Sequence, residues 1–217
     1  MVEARDCDAI LLAAGLSSRM AGSKMLREID GLPLVRLALE HACAACGRGH
    51  EAAAVRAALG ELSSRVVVVE NHHYRDGMLG SIQTGMREVE SDWFFVVPGD
   101  MPRLDREIFS AVAHAAPPDA RAPAPTAADA AAPTGPLAVV PYYREVRGHP
   151  VLVSRTLVPA LLREPRSAGP MRNLLARYPT ARIHLDRPEI TLDLDTDRQV
   201  ERFTSGERSS RRGHEPE

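Results

Sequence analysis

Short, wholly apolar runs alternate with stretches of helical spacing along most of the chain. Runs bounded by Gly or polar residues predict strands over Ala9–Ala13, Val66–Val69, Trp93–Val97, Ala138–Tyr142 and Ile183–Leu185, with a short one at Thr191–Leu194. Apolar spacing and Ala content between them predict helices over Leu34–Cys46, Ala52–Leu59, Leu79–Glu88, Arg106–Ala115, Leu157–Leu162 and Pro170–Arg177. Strands that carry no polar alternation must be covered on both faces, as in a parallel sheet held between helices. The expected fold class is α/β, a single domain with a mostly parallel central sheet. Ligands of such sheets sit beyond the carboxyl ends of the strands, where Gly15 to Lys24 and Gly99-Asp100 both fall.

The segment ILLAAGLSSRMAGSKML, residues 10 to 26, carries the most specific chemistry. Gly15 ends the first strand, and Ser17 and Ser18 open a loop that delivers Arg19 and Lys24. A small-residue turn after a strand lets backbone N–H groups approach a polyphosphate, because no Cβ stands in the way. Arg19 can fork onto phosphate oxygens and Lys24 supplies a point charge to a second phosphate. The loop is neither a Walker loop nor the dinucleotide fingerprint, since G-x-x-x-x-G-K-[ST] and G-x-G-x-x-G are both absent.

A second strand end carries an acid. VVPGDMP, residues 96 to 102, places Asp100 where a carboxylate can hold a divalent cation against phosphate oxygens, or cap the following turn. In TLDLDTDRQV, residues 191 to 200, Asp193 and Asp195 alternate, so an extended backbone points both to one face. One of them can complete a metal site with Asp100; Asp195 or Thr196 can instead cap the last helix.

Composition narrows the field. The 217 residues suffice for one full α/β core, and a net charge of -2 gives no basic field for nucleic acid. No stretch approaches the ~18 apolar residues of a membrane span, and the first residues, MVEARDCD, do not read as a secretory signal. The expected location is the cytosol. Three cysteines argue against a disulfide framework. Cys43 and Cys46 form a C-x-x-C near His41 and His50, but no second pair completes a zinc set, and thiols in an Ala-rich helix are ordinary core residues. Ala115 to Pro136 is rich in Ala, Pro and Asp and reads as a solvated, mobile surface insertion. Residues 204–217 lack the apolar content for order, so the domain is expected to span 1–203.

Leu12-Ala13-Ala14-Gly15, Ser17, Arg19-Met20 and Lys24 together resemble the signature loop L-A-A-G-x-S-x-R-M-G-x-x-K of nucleotidyltransferases, in particular the molybdenum cofactor cytidylyltransferases. The loop departs from that pattern in placing Ala21 before Gly22. The resemblance extends in order to about residue 200. NHHYRDGMLGSIQTG, residues 71 to 85, is similar to the segment that encloses base and ribose, which implies nucleotide contacts from Asn71, Gly80 and Ser81. His72 and His73 have no acid or third His at ligand spacing and read as exposed loop residues. GHPV, residues 148 to 151, and GPMRNLL, residues 169 to 175, match motifs that place His149 and Arg172 on the acceptor; Gly-His-Pro can equally be only a tight turn. Where the family has a Val-rich second strand this chain has ACAACGRGHEAAAV, so Ala42–Cys46 is recruited as strand or the sheet is irregular there. Gly49-His50-Glu51-Ala52 resembles the family's segment just after that strand.

The resemblance implies a three-layer, Rossmann-like nucleotidyltransferase fold and a reaction in which an acceptor phosphate attacks the α-phosphorus of a nucleoside triphosphate with loss of pyrophosphate. Arg19 and Lys24 act on the triphosphate and Asp100 on Mg²⁺, the expected cofactor. Ala13-Ala14-Gly15 resembles the cytidine-using branch, which implies CTP and molybdopterin as substrates and transient contact with an apo molybdenum hydroxylase. The alternatives are a guanylyltransferase or another small-phosphate nucleotidyltransferase and, in another class, a non-catalytic accessory protein that binds the finished cofactor.

Overall fold

The computed structural model describes residues 1–13, 24–26, 28–29, 32–45, 49–50, 66–67, 69–117, 135–194 and 199. The strands are β1 (Asp8–Leu12), β2 (Glu28–Ile29), β3 (Leu32–Pro33), β4 (Gly49–His50), β5 (Val66–Val67), β6 (Trp93–Pro98), β7 (Ala138–Tyr143), β8 (Val146–Arg147), β9 (Val151–Ser154) and β10 (Thr180–His184). The helices are α1 (Leu34–Ala45), α2 (Met78–Met86), α3 (Arg106–His114), α4 (Val158–Arg163) and α5 (Met171–Leu175). The main sheet runs in the order β10-β7-β9-β6-β1-β4-β5, with β8 pairing onto β7, while β2 and β3 form a separate antiparallel pair.

Period-2 alternation divides the core between the two sheet faces. From β1 and β6, Ala9, Leu11, Trp93, Phe95 and Val97 join Val35 and Leu39 of α1 and Ile108, Phe109 and Val112 of α3. Ile10, Phe94 and Val96 point the other way, into Leu79, Ile82 and Met86 of α2, Leu161 of α4 and Leu174 of α5. The result is one α/β domain with helices on both faces of the sheet. Close packing requires Gly85 on α2, where an added Cβ would lie 2.7 Å from Ile10 Cγ2. Gln83, also on α2, donates to the carbonyls of Leu161 and Glu164, both at 2.8 Å, and so satisfies the end of α4.

The sheet is mixed, and parallel through its core. Six strands of the main sheet share one direction, but β9 runs antiparallel between β6 and β7, and β8 antiparallel to β7. Thr191–Leu194 is not a strand: a 3-10 turn over Pro188–Thr191 leads into irregular chain. Ala42 to Ala45 are helical, ending α1, so they are not recruited as strand. Gly49 and His50 are themselves the missing strand, not its sequel, with Ala9 beside Gly49 and Val66 beyond it. Cys43 lies within α1, and Cys46 falls outside the described residues. So do the helix expected over Ala52–Leu59, most of the Ala115–Pro136 insertion and the 204–217 tail. Among the described residues no helix is long and apolar enough to cross a membrane.

Candidate active site

The ends of β1 and β6 are locked side by side. Gly99 N–H donates to the Leu12 carbonyl at 2.9 Å, just past the paired Leu12 and Pro98. An added Cβ at Gly99 would lie 2.8 Å from that carbonyl oxygen and 3.1 Å from Met25 Sδ. Glycine here is therefore a packing requirement. It lets the 3-10 turn Lys24–Leu26 come down on the strand ends with Met25 buried and its sulfur against Gly99. Ala13 follows Leu12, half-buried, against the α1/α3 side of the core. Ala14, Gly15, Ser17 and Arg19 lie outside the described residues.

Asp100 is half-buried, with its Oδ1 inaccessible to solvent, and its carbonyl accepts from Leu194 N–H at 3.0 Å. Leu194 is held in turn by Ile29 and Leu34. This anchor brings Asp193, which is exposed, next to the Asp100 turn; Asp195 lies outside the described residues.

The Gly-His-Pro segment is a built turn. Gly148 N–H donates to Pro141 O and His149 N–H to Ile190 O, both at 2.8 Å, and the His149–Pro150 peptide is cis. His149 Nδ1 is buried with no hydrogen-bond partner among the described residues. Burial, and then the Arg147 guanidinium, push its pKa down to about 4, against the opposing influence of Asp100 and a hydrogen bond with the Val96 backbone. The imidazole is therefore neutral at pH 7. An imidazole with a folded pKa of about 4, against an ordinary 6.5, takes up its proton between those values only in the unfolded chain. Stability should accordingly fall as pH drops from 6.5 towards 4. Urea midpoints across that window check this, and the share lost through His149 should vanish in His149→Gln.

The 3-10 turn that carries Ile190 is tied down by Arg187, which pairs with Asp105, with Glu107 at 3.3 Å and with Glu189 at 3.3 Å. Asp105 also caps α3, accepting from Ile108 N–H at 3.0 Å. Although burial pulls its pKa up, the Ile108 and Arg187 hydrogen bonds hold the carboxyl below its ordinary value.

Asn71 and Ser81 meet directly, Nδ2 donating to Oγ at 3.0 Å. Asn71 Oδ1 also accepts from His73 N–H at 3.0 Å, so this side chain shapes the turn between β5 and α2. Gly80 is buried against the Arg166 stem, 3.4 Å from where its Cβ would stand. His72 and His73 are exposed, each about a salt-bridge length (3.9 Å) from Glu70 and Asp76 respectively. Arg172 is exposed near the start of α5 and close enough to Arg147 to disfavour its charge. No sequence motif singles out Arg147. Its one signal is a cation directly before Gly148-His149-Pro150, outside the motif that begins at the glycine.

Asp100, His149, Arg147 and Arg172 thus bear on one another's charge at one rim of the sheet, with Met25 of the Lys24–Leu26 turn against Gly99 and Asp193 beside the Asp100 turn. Among the described residues the arrangement sets cations and one strand-end carboxylate together without a nucleophile–base pair, which suits transfer between phosphates.

Comparison with known proteins agrees. The family profile described as "MobA-like NTP transferase domain" matches residues 9–183. The molybdenum cofactor cytidylyltransferase of Escherichia coli K12 is 25% identical over 194 residues, covering 87% of this chain and 91% of that protein. A molybdenum cofactor guanylyltransferase of Pseudomonas aeruginosa PAO1 is 33% identical over 118 residues, 51% of this chain and 56% of that protein. Among solved structures, Rv0371c of Mycobacterium tuberculosis H37Rv superimposes with a TM-score of 0.70 at 23% identity, covering 93% of this chain and 98% of that one. A second structure of Rv0371c holds manganese and superimposes with a TM-score of 0.65.

Proposed function

Since the chain belongs to the MobA-like NTP transferase family, we propose that it transfers CMP from CTP to molybdopterin and releases pyrophosphate. The cytidylyltransferase likeness across 87% of the chain carries the choice of base, and the Ala13-Ala14-Gly15 triplet supports it. In this reading Arg19 and Lys24 grip the triphosphate, Leu12 to Gly15 and Ser17 line its approach, and Asn71, Gly80 and Ser81 border base and ribose. His149 and Arg172 receive the acceptor. The finished cofactor then passes to an apo molybdenum hydroxylase, and the chemistry is that of the cytosol.

Asp100, with Asp193 or Asp195, would hold Mg²⁺. One or two carboxylates, with phosphate oxygens and water completing the shell, is the set this ion prefers. The half-buried Asp100 carboxylate beside the Lys24 turn fits that demand, and among the described residues no group of three or more His, Cys, Asp or Glu forms a self-sufficient cage. When bound, the ion neutralises charge on the triphosphate. The acceptor phosphate is already anionic and needs no general base, so the chain's own task is positioning and electrostatic stabilisation. Neutral His149 suits this role, since it can contact the acceptor without taking its proton.

The test is pyrophosphate release from each NTP with Mg²⁺ and molybdenum-loaded molybdopterin. CTP alone should support turnover well. A preference for GTP would favour the second reading, a guanylyltransferase, to which the 33% identity over 118 residues of the Pseudomonas protein points. Release with none of the four would leave an accessory binder. A methyl at Ala14 takes space beside the base, so Ala14→Gly should narrow the CTP/GTP gap, by at most about 10- to 200-fold for a group of that size. Lys24→Ala should lower kcat/KM for CTP and slow the chemical step, because its charge contacts an oxygen that grows more negative in the transition state. An unchanged kcat/KM would make Lys24 a surface residue only.

A further inference from the structure

Arg147 is half-buried at the end of β8, directly opposite Tyr142 of β7. Arg147, Arg182 and His184 surround that tyrosine, and Arg172 lies near enough to Arg147 to bear on its charge. The Arg182 guanidinium lies over its ring, 4.0 Å from the centroid, and the His184 ring is 6.2 Å away. Both have a carboxylate: Arg182 pairs with Glu145 at 3.3 Å, and His184 lies 4.0 Å from the same residue. Arg147 and Arg172 have none among the described residues. Burial and then Arg172 work against the charge of Arg147, with only the Tyr142 phenol acting the other way.

A partly desolvated guanidinium is ordinarily paired, because an unmatched buried charge is costly. Two neighbouring guanidinium groups, one of them half-buried opposite Tyr142 and neither paired with a carboxylate among the described residues, are matched to an anion that arrives from solution. The planar fork of arginine fits phosphate in two-point contact. We propose that Arg147, together with Arg172 and the Tyr142 hydroxyl, seats the terminal phosphate monoester of the acceptor, with Arg147 as its central contact. This rests on the nucleotidyl-transfer reading and gives that acceptor site its principal residue. In the reaction a monoester oxygen bonds to the α-phosphorus, the bond from that phosphorus to the bridging oxygen breaks, and its electron pair leaves on pyrophosphate. The dianionic monoester gives up no proton, and the Arg147–Arg172 pair offsets its charge as the two anions approach.

Phenyl phosphate is the probe, titrated calorimetrically into the full chain. The wild type should bind it, and Arg147→Met should bind it at least about tenfold more weakly, the loss expected for one hydrogen bond to a charged group. Mg-CTP affinity of the variant should stay within about twofold. A merely structural arginine would lower the melting temperature when replaced, whereas Arg147→Met should hold or raise it, because an unmatched charge is removed and the apolar stem kept. Arg147→Lys, which keeps the charge and loses the fork, should be intermediate and serves if the Met variant does not fold. No phenyl phosphate binding by the wild type, equal binding by the variant, or a matching fall in Mg-CTP affinity would each overturn the proposal. If the seat behaves as stated but no NTP yields pyrophosphate with molybdopterin, the transfer reading fails and the anion seat stands.

Discussion

Asp100→Asn is expected to lower turnover by roughly 100- to 1,000-fold, the range for loss of a single preorganised electrostatic contact, while the fold persists. The backbone of this residue is fixed by other means: Leu194 N–H holds its carbonyl at 3.0 Å, and Gly99 locks the preceding turn to Leu12 at 2.9 Å. Asn keeps the size of the side chain and removes its charge, so packing is conserved and only the electrostatics change. These backbone anchors do not depend on the side-chain charge, so the melting temperature should move far less than turnover. Pyrophosphate release and thermal melting, measured on the same preparation, separate the two effects. The Mg²⁺ concentration for half-maximal rate should also rise. Turnover near the wild-type level would remove Asp100 from the site.

The parts of the fold legible in the sequence are those fixed by local pattern. β1, β6 and β7 are continuous apolar runs, and their alternation divides the core between Phe95 on one face and Phe94 on the other. α1, α2 and α3 follow their apolar spacing to within two residues at either end. What escaped depends on distant partners. β4 has only Gly49 and His50, and it is a strand because β1 and β5 flank it, not because its residues favour extension. Nothing in Val151–Ser154 announces that β9 runs against its neighbours; that direction comes from the short return through β8 and the Gly148 turn. Thr191–Leu194 has strand-like alternation, but the Pro188 start of a 3-10 turn and the anchoring of Leu194 on Ile29 and Leu34 claim that segment.

The site divides in the same way. Lys24, Asp100, His149 and Arg172 stand in recognisable motifs, and the described backbone brings Asp100, His149 and the Lys24 turn to one rim. Arg147 stands in no such motif. Its meaning comes from Tyr142 opposite and Arg172 across the rim, the latter far from it in sequence. Met25 is likewise unremarkable in the sequence, and gains its place only because Gly99 gives it room.

Gly148→Ala should destabilise the chain by about 1–3 kcal/mol, the usual penalty of overpacking, and lower activity through the same displacement. A Cβ there would lie 2.6 Å from Ile190 Cγ1 and 2.7 Å from Ile190 O. The second contact is with backbone, so no side-chain rotation relieves it. The Pro188–Thr191 turn must move, yet Arg187 holds it to Asp105 and Glu107. Movement would also strain the bond from His149 N–H to Ile190 O, and beyond it the Leu194 contact that steadies Asp100. For a domain of this size about 2–4 °C of melting temperature accompanies each kcal/mol, so a drop of several degrees is expected. Gly135→Ala is the control, since its Cβ would meet only Pro117 Cγ at an ordinary 3.6 Å, and both stability and turnover should stay near wild type. A Gly148→Ala protein with unchanged melting and unchanged turnover would mean that the Pro188–Thr191 turn yields freely and does not hold His149 and Asp100 in place.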